Sequence, residues 1–363
     1  LLVHEVEVRS SRELFAQMAN SQRELVESGF AEVRQSLFDA ARLFEASEFV
    51  SRAEFSAYFV PLLSGSAITA FDWAPIVPAA QRREFEDANR AGGVADFVVS
   101  ERDASGAVFP AGDRAYYYPV VYMEPPSGGG RVLGDDLGAD AASRVALEEA
   151  DVTMGPSATN ALPAPGGGRD EVLVFQPVLA QDAGGGTSGS VSSFVVAAID
   201  PEALLRNAVV QPGGRRGDDT LPVHVSLFQL GIGVAPERLA TWMPDSDMAD
   251  EPFAVLAGGG DSGMCSTYPL FAFGKSYAVV ACPGMAFTEM QRGWGELGVI
   301  GAVGLLITAL LTAFVGLLRS APLILAQEIR ERTAELRASE GRYRTFINST
   351  SDLVYVKDSA LRY

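Results

Sequence analysis

Two histidines, two cysteines and no clustered nucleophile–base pair bound the chemistry open to this 363-residue sequence. His4 and His224 cannot build a multi-histidine metal centre, and Cys265 and Cys282 cannot build a four-cysteine site. A Ser–His–Asp triad would have to use His224, which stands in the strand-like run Pro222–Leu230 and reads as a core histidine. His4-Glu5 mimics a phosphoacceptor His-Glu pair but sits at the start of the chain. The glycine triplets at 128–130, 166–168 and 184–186 lack the Gly-Lys-Ser/Thr ending of a phosphate loop, so they read as loops or linkers. No catalytic residue, no metal site and no cofactor are expected. With 46 acidic against 28 basic groups, net −18, nucleic acid is not an expected partner, because phosphate binding needs a basic face. Apolar residues at 48% are ample for packed cores. Binding, not catalysis, is left.

The uneven spread of charge shows what must position a binding site. Residues 319–363 hold eight basic and six acidic groups, so residues 1–318 carry 20 and 40, or −20. The divider is Leu297–Leu318, 22 residues without a charge. At about 1.5 Å per residue that is roughly 33 Å of helix, enough for a bilayer core of about 30 Å. Thr308 and Thr312 can bond back to their own helix, and Trp294 suits the headgroup layer. Arg319, Arg330 and Arg332 follow the span, against Arg292 alone before it, so the positive-inside tendency places the C-terminal end in the cytoplasm and residues 1–296 outside the inner membrane. An exported domain needs a leader, and Leu1-Leu2-Val3 reads as the tail of a first membrane helix.

Outside the membrane, residues 5–62 read as helix almost throughout, with Leu14, Met18, Leu25, Phe30, Val33, Leu37, Phe38, Ala41, Leu43 and Phe44 recurring mostly at three- and four-residue steps. A helix of this length suits a stalk that pairs with another helix. From Ala67 the period shortens. Strands are expected at Ala67–Trp73, Val94–Ser100, Ala115–Met123, Glu171–Leu179 and Ser192–Ala198, with helices at Pro78–Ala91 and Ala139–Ala150. After a helix at Pro201–Ala208 come strands at Val223–Gln229 and Phe253–Ala257, then the runs Met264–Ala272 and Lys275–Cys282. The fold class is α+β, with two antiparallel-sheet modules in series, at 63–198 and 199–292. If Phe273-Gly274 closes a hairpin, Cys265 falls opposite Cys282. Facing positions can reach disulfide distance, and an oxidising compartment permits the bond; two separate buried thiols are the equal alternative.

These residues also carry a family resemblance. The stretch Ile68-Thr69-Ala70-Phe71-Asp72-Trp73-Ala74-Pro75-Ile76-Val77, followed by Arg82 and Phe85-Glu86, resembles the opening block of the CHASE sensory domain. Upstream, Leu43-Phe44-Glu45-Ala46-Ser47 and Val50-Ser51-Arg52-Ala53-Glu54-Phe55 are similar to its last stalk turns. Downstream, Tyr118-Pro119-Val120-Val121-Tyr122-Met123-Glu124-Pro125 is similar to its central strand, and Leu133-Gly134-Asp135-Asp136-Leu137 with Arg144 and Ala150 to its ligand-side loop and helix. Ala158-Thr159 and Phe175-Gln176-Pro177-Val178 resemble the two strands that follow. The chain departs from the family in its glycine-rich inserts and in Val152-Thr153-Met154-Gly155, where an adjacent Thr-Gly is usual.

The resemblance implies an extracytoplasmic sensor between two membrane helices, built as two PAS-like modules on a stalk helix and joined to a histidine kinase or a cyclase. In plants the family binds the adenine-type hormone cytokinin. Asp136 matches the aspartate that accepts from purine N–H groups there, and such charge-assisted bonds contribute roughly 1.5–3 kcal/mol. Thr159 is the candidate for a smaller polar contact, and Tyr122, Phe71 and Phe175 for the pocket wall. The alternative for Asp136 is to cap the helix at 139–150, with Asp140 also available. Inside the cell, Leu325, Ile329 and Leu336 share one helical face, a short coiled-coil signalling helix at 319–341 suited to a parallel dimer, and the resemblance to receptor kinases implies a homodimer. Residues 342–363 are similar to the start of a cytoplasmic PAS domain. The expected partners are thus a small-molecule ligand, the membrane and a second copy of the chain, with a sensor histidine kinase as output; a diguanylate or nucleotide cyclase, or a membrane-anchored binding protein with no catalytic output, is the alternative.

Overall fold

The structure, a computed structural model, describes residues 2–103, 106–126, 131–163, 169–181, 187–209, 223–242 and 265–349. The expected strand at Phe253–Ala257, the glycine triplets and most of the 342–363 segment lie outside the described residues. The chain forms two compact units, Leu1–Gln291 and Arg292–Tyr363.

In the first unit, α1 (Leu2–Glu45) and α2 (Arg52–Leu63) carry the apolar stripe. Phe15, Ala19, Val26, Phe30, Val33, Leu37, Ala40 and Ala41 are buried, whereas Leu14 and Phe38 are exposed. The expected single helix breaks at Ala46–Val50, because Ser51 starts a new one. Its hydroxyl accepts from the Glu54 N–H while the Glu54 carboxylate accepts from the Ser51 N–H, a capping box that satisfies two otherwise orphaned donors.

The strands and remaining helices follow: β1 (Ile68–Pro75), β2 (Val77–Pro78), a 3₁₀ turn (Ala79–Gln81), α3 (Arg82–Ala91), β3 (Ser100–Arg102), β4 (Val108–Pro110), β5 (Tyr116–Tyr117) and β6 (Tyr122–Glu124). Next come α4 (Ala141–Thr153), β7 (Ser157–Ala158), β8 (Val172–Gln181), β9 (Thr187–Ile199) and α5 (Pro201–Val209). Last are β10 (Val223–Leu230), β11 (Glu237–Trp242), β12 (Ser266–Ala272), β13 (Lys275–Pro283) and α6 (Met285–Ser349). Two expected strands are shorter than the sequence suggests. Val94–Ser100 is irregular until Ser100, and Ala115–Met123 is split, because backbone groups of Tyr118 and Val120 bond to loop residues Gly134, Asp135 and Leu137 instead of a ladder.

The two larger antiparallel sheets run β6-β1-β9-β8-β7 and β11-β10-β13-β12, and β2 with β5 and β3 with β4 form two-stranded pairs. Alternation along β1 divides the first sheet's faces. Phe71 packs toward α2, 4.7 Å from the Phe59 ring, while Ala70 and Ala74 join the α4-side core with Leu147, Phe175 and Phe194. Helix α1 packs along both sheets: Phe44 stacks on Trp73 of the first at 5.1 Å, and Phe30 meets Tyr277 of the second at 5.0 Å. Burial of such rings contributes about 1.5–3 kcal/mol each.

The β12–β13 hairpin pairs Ser266 with Ala281 and Ala272 with Lys275, and turns at Phe273-Gly274 with φ of 51° and 71°. Left-handed geometry at both positions matches the twist of the strands, and glycine adopts it without strain. At the open end Cys265 and Cys282 are disulfide-bonded, their Cα atoms 4.3 Å apart. His224 is buried on β10, opposite Cys282.

In the second unit, Gly298–Gly316 is long and apolar enough to cross a bilayer, and none of its residues is buried. Thr308 donates to the Gly304 carbonyl and Thr312 to the Thr308 carbonyl, both at 2.7 Å, so neither hydroxyl needs an outside partner. Leu336 is exposed; the side chains of Leu325 and Ile329 lie outside the described residues.

Candidate functional site

Beside the α4 face of the first sheet lies a cleft of about 610 Å³. Its floor is the loop 131–138, sewn in from two sides. Asp136 N–H donates to the Ser100 carbonyl at 2.7 Å, and Leu137 N–H to that of Tyr118 at 3.1 Å. Gly134 makes the close approach possible. Its φ is +90°, and a Cβ there would stand 2.2 Å from the Val98 carbonyl oxygen.

That loop delivers three charged side chains. Asp135 accepts two hydrogen bonds from Arg102, at 3.1 and 2.8 Å. Asp136, its side chain fully buried, accepts from the N–H groups of Tyr118 and Gly138 at 2.8 and 3.1 Å and from Arg114 at 2.9 Å. Arg114 also pairs with Glu101. Arg131, 4% exposed, bonds Asp72 at 2.8 Å and pairs with Glu171. Its Nη2 and the Asp72 Oδ1 have no hydrogen-bond partner among the described residues.

Burial dominates the electrostatics. It pushes the carboxyls of Asp72, Asp136 and Glu171 above the ordinary range, although each is opposed by its arginine and Asp136 also by two backbone N–H groups. Burial works to lower Arg131 too, but the attraction of Asp72 and Glu171 outweighs it and holds the guanidinium charged. Such clusters are costly unless complete: removing one partner of a buried pair costs about 3–5 kcal/mol.

Of the residues selected from sequence, the structure brings Asp136 alone to this cleft. Helix α4 is capped not by Asp136 but by Asp140, whose carboxylate accepts from the Ser143 N–H at 2.8 Å. Thr159 is buried, its hydroxyl accepting from the Leu173 N–H at 3.1 Å and its carbonyl accepting from Gln229 at 3.2 Å. Phe175 is core beside Phe194 on the cleft side of the sheet, and Phe71 is core on the opposite side. Tyr122 stacks on Trp73 at 5.2 Å and lines a separate cavity of about 320 Å³ near the break between α1 and α2. Trp73 is half-buried and donates to the Ser193 hydroxyl at 3.1 Å. Arg114, Arg131, Asp72 and Glu171 were not among the site candidates expected from sequence. The alternation of β1 was the available signal, since it puts Asp72 on the face opposite Phe71.

The CHASE domain family model matches residues 48–237, a stretch of just over half the chain that contains the whole cleft. No curated protein sequence matches. Among solved structures, the chain is similar to the ligand binding domain of the Pseudomonas aeruginosa PAO1 amino acid chemoreceptor PctC in complex with GABA, at 13% identity and TM-score 0.40, over 74% of this chain and 96% of that one. It is similar to the ligand-binding domain of the Pseudomonas fluorescens chemoreceptor CtaA in complex with L-isoleucine, at 9% identity and TM-score 0.43, over 79% and 98%. It is also similar to the periplasmic sensory domain of the Campylobacter jejuni chemoreceptor Tlp1, at 10% identity and TM-score 0.35, over 78% and 93%.

Proposed function

The chain belongs to the CHASE domain family, and from that premise we propose that it is the sensing and membrane-crossing part of a receptor histidine kinase. A small molecule enters the 610 Å³ cleft, with Asp136 and its arginine partner at the polar end. Thr159 and Phe175 hold the sheet behind it, and Phe71 and Tyr122 tie that sheet to the stalk. The two sheets are the cores of two PAS-like modules, at 63–198 and 199–292. The apolar helix around Gly298–Gly316 crosses the inner membrane, leaving residues 1–296 outside. Residues 319–341 form a coiled-coil signalling helix in a homodimer, and a cytoplasmic PAS domain begins at 342. A ligand that prefers one of two arrangements of stalk and span shifts their balance, and the effector reads that shift.

The family match over the residues that build the cleft carries this reading. A thermal-shift screen of the chain in detergent, against adenine derivatives, amino acids and carboxylates, tests it. Binding that Asp136→Ala abolishes is the expected result. Hits indifferent to Asp136→Ala and to Arg114→Ala would place the ligand elsewhere. Topology reporters on either side of Gly298–Gly316 should report opposite compartments. The coding sequence beyond residue 363 tests the output: an acceptor His-Glu box and an ATP-binding domain are expected, and a cyclase signature would replace the kinase.

A further inference from the structure

The charge around the cleft is unbalanced in a way that identifies a ligand class. The described residues lining it supply six carboxylates and three guanidiniums. Two of the guanidiniums are each clamped by two carboxylates: Arg114 by Glu101 and Asp136, Arg131 by Asp72 and Glu171. With every group ionised, each clamp is left with one uncompensated negative charge. Asp140 at the α4 cap lines the same space. No arginine there has charge to spare for an anion, and a negative ligand would meet the net field of the wall. Within the wall one buried donor stands against this excess of acceptors. The Nη2 of Arg131, on a side chain 96% enclosed, is a donor without a hydrogen-bond partner among the described residues. A buried donor left in that state is costly, and a ligand acceptor removes the cost.

We infer that the cleft takes a small organic cation, a protonated amine or quaternary ammonium, that also carries an uncharged hydrogen-bond acceptor for Arg131. The inference rests on the sensor reading and specifies the chemistry of the same site. The cation supplies the charge that the clamps lack, and its neighbouring oxygen accepts from Nη2. The elevated carboxyls of Asp136 and Glu171 agree with this, because without a cation a proton is the available way to relieve a buried negative charge.

Isothermal titration of the whole chain in detergent is the test, with ethanolamine, choline and L-argininamide as cationic probes carrying an acceptor, and succinate, acetate and adenine as contrasts. At least one cationic probe should bind, with affinity reduced ten-fold or more by Glu101→Gln, which removes a clamp charge at a half-buried position, and by Arg131→Lys, which removes the Nη2 donor. Circular dichroism establishes that each variant is folded. Binding by succinate, acetate or adenine alone, lost in the same variants, overturns the cation assignment and leaves the sensor reading standing. Cationic binding unaffected by both variants overturns the site. Absence of binding by all three cationic probes overturns the proposal.

Discussion

Glu149, in the last turns of α4, lies 3.7 Å from Lys275 at the tip of the β12–β13 hairpin, so one carboxylate joins the helix bordering the cleft to the second sheet. The same carboxylate accepts from the Ser157 hydroxyl at 2.8 Å, and the Phe273 carbonyl accepts from the Ala158 N–H at 2.9 Å. Gln229 adds a third tie through the Thr159 carbonyl. A movement of α4 therefore reaches both sheets.

The tip itself is sensitive to a single methyl group. Gly274 sits at φ +71°, and a Cβ there would meet the Glu149 carboxylate at 2.8 Å. Gly274→Ala should cost about 1–2 kcal/mol for the left-handed backbone alone. Lys275→Met should cost only about 0.5 kcal/mol, as expected of a half-exposed ion pair. Urea unfolding in detergent measures both, and equal stability of Gly274→Ala and the parent would contradict the described turn.

Arg131→Met leaves Asp72 and Glu171 buried without their counter-charge, and a loss of about 3–5 kcal/mol is expected. Adding Asp72→Asn and Glu171→Gln should restore most of the loss, because the penalty arises from unpaired charge rather than missing volume. A triple variant no more stable than Arg131→Met would refute that account.

The elevated carboxyl of Asp136 makes a signed pH prediction. Its folded-state pKa lies above the unfolded one, so folding takes up a proton. Its contribution to stability is then full below the ordinary carboxylate pKa and is lost as pH rises through the folded value. Asp136→Asn cannot titrate. The thermal midpoint of the parent minus that of the variant should therefore shrink from acidic to neutral pH, read by differential scanning fluorimetry. A difference that grows instead would mean that Arg114 and the two N–H groups outweigh burial.

The disulfide closes a loop of 17 residues, and constraining the unfolded chain over such a loop is worth about 3 kcal/mol. Intact mass without reductant should be lower by two hydrogens than after reduction. Cys265→Ser should lower the unfolding midpoint by the corresponding amount, and unchanged mass and stability would show that the thiols stay separate.

What local pattern alone determines was legible in the residues. Phe30, Val33 and Leu37 recur at helical steps, so α1 was visible, and strands β1, β8, β9 and β10 showed as β-branched and aromatic runs between turn residues. The hairpin showed as two β-rich runs on either side of Phe273-Gly274, and the facing of Cys265 and Cys282 followed from it. The break at Ala46–Val50 was masked by a continuous apolar stripe, although Ser51 and Glu54 stand at capping-box spacing. The cleft was another matter. Asp136 could be picked out because it lies beside recognisable neighbours, but Arg131 is 59 residues from Asp72 and 40 from Glu171. Pairing at such distances depends on which face of each strand meets which loop, and no short-range period records it. Phe71 and Asp72 are adjacent in the chain, and the pleat sends one to the stalk and the other to the arginine. Composition and periodicity thus settled most of the longer elements, whereas the enclosure of three arginines among six cleft carboxylates exists only once the sheet has brought distant segments together.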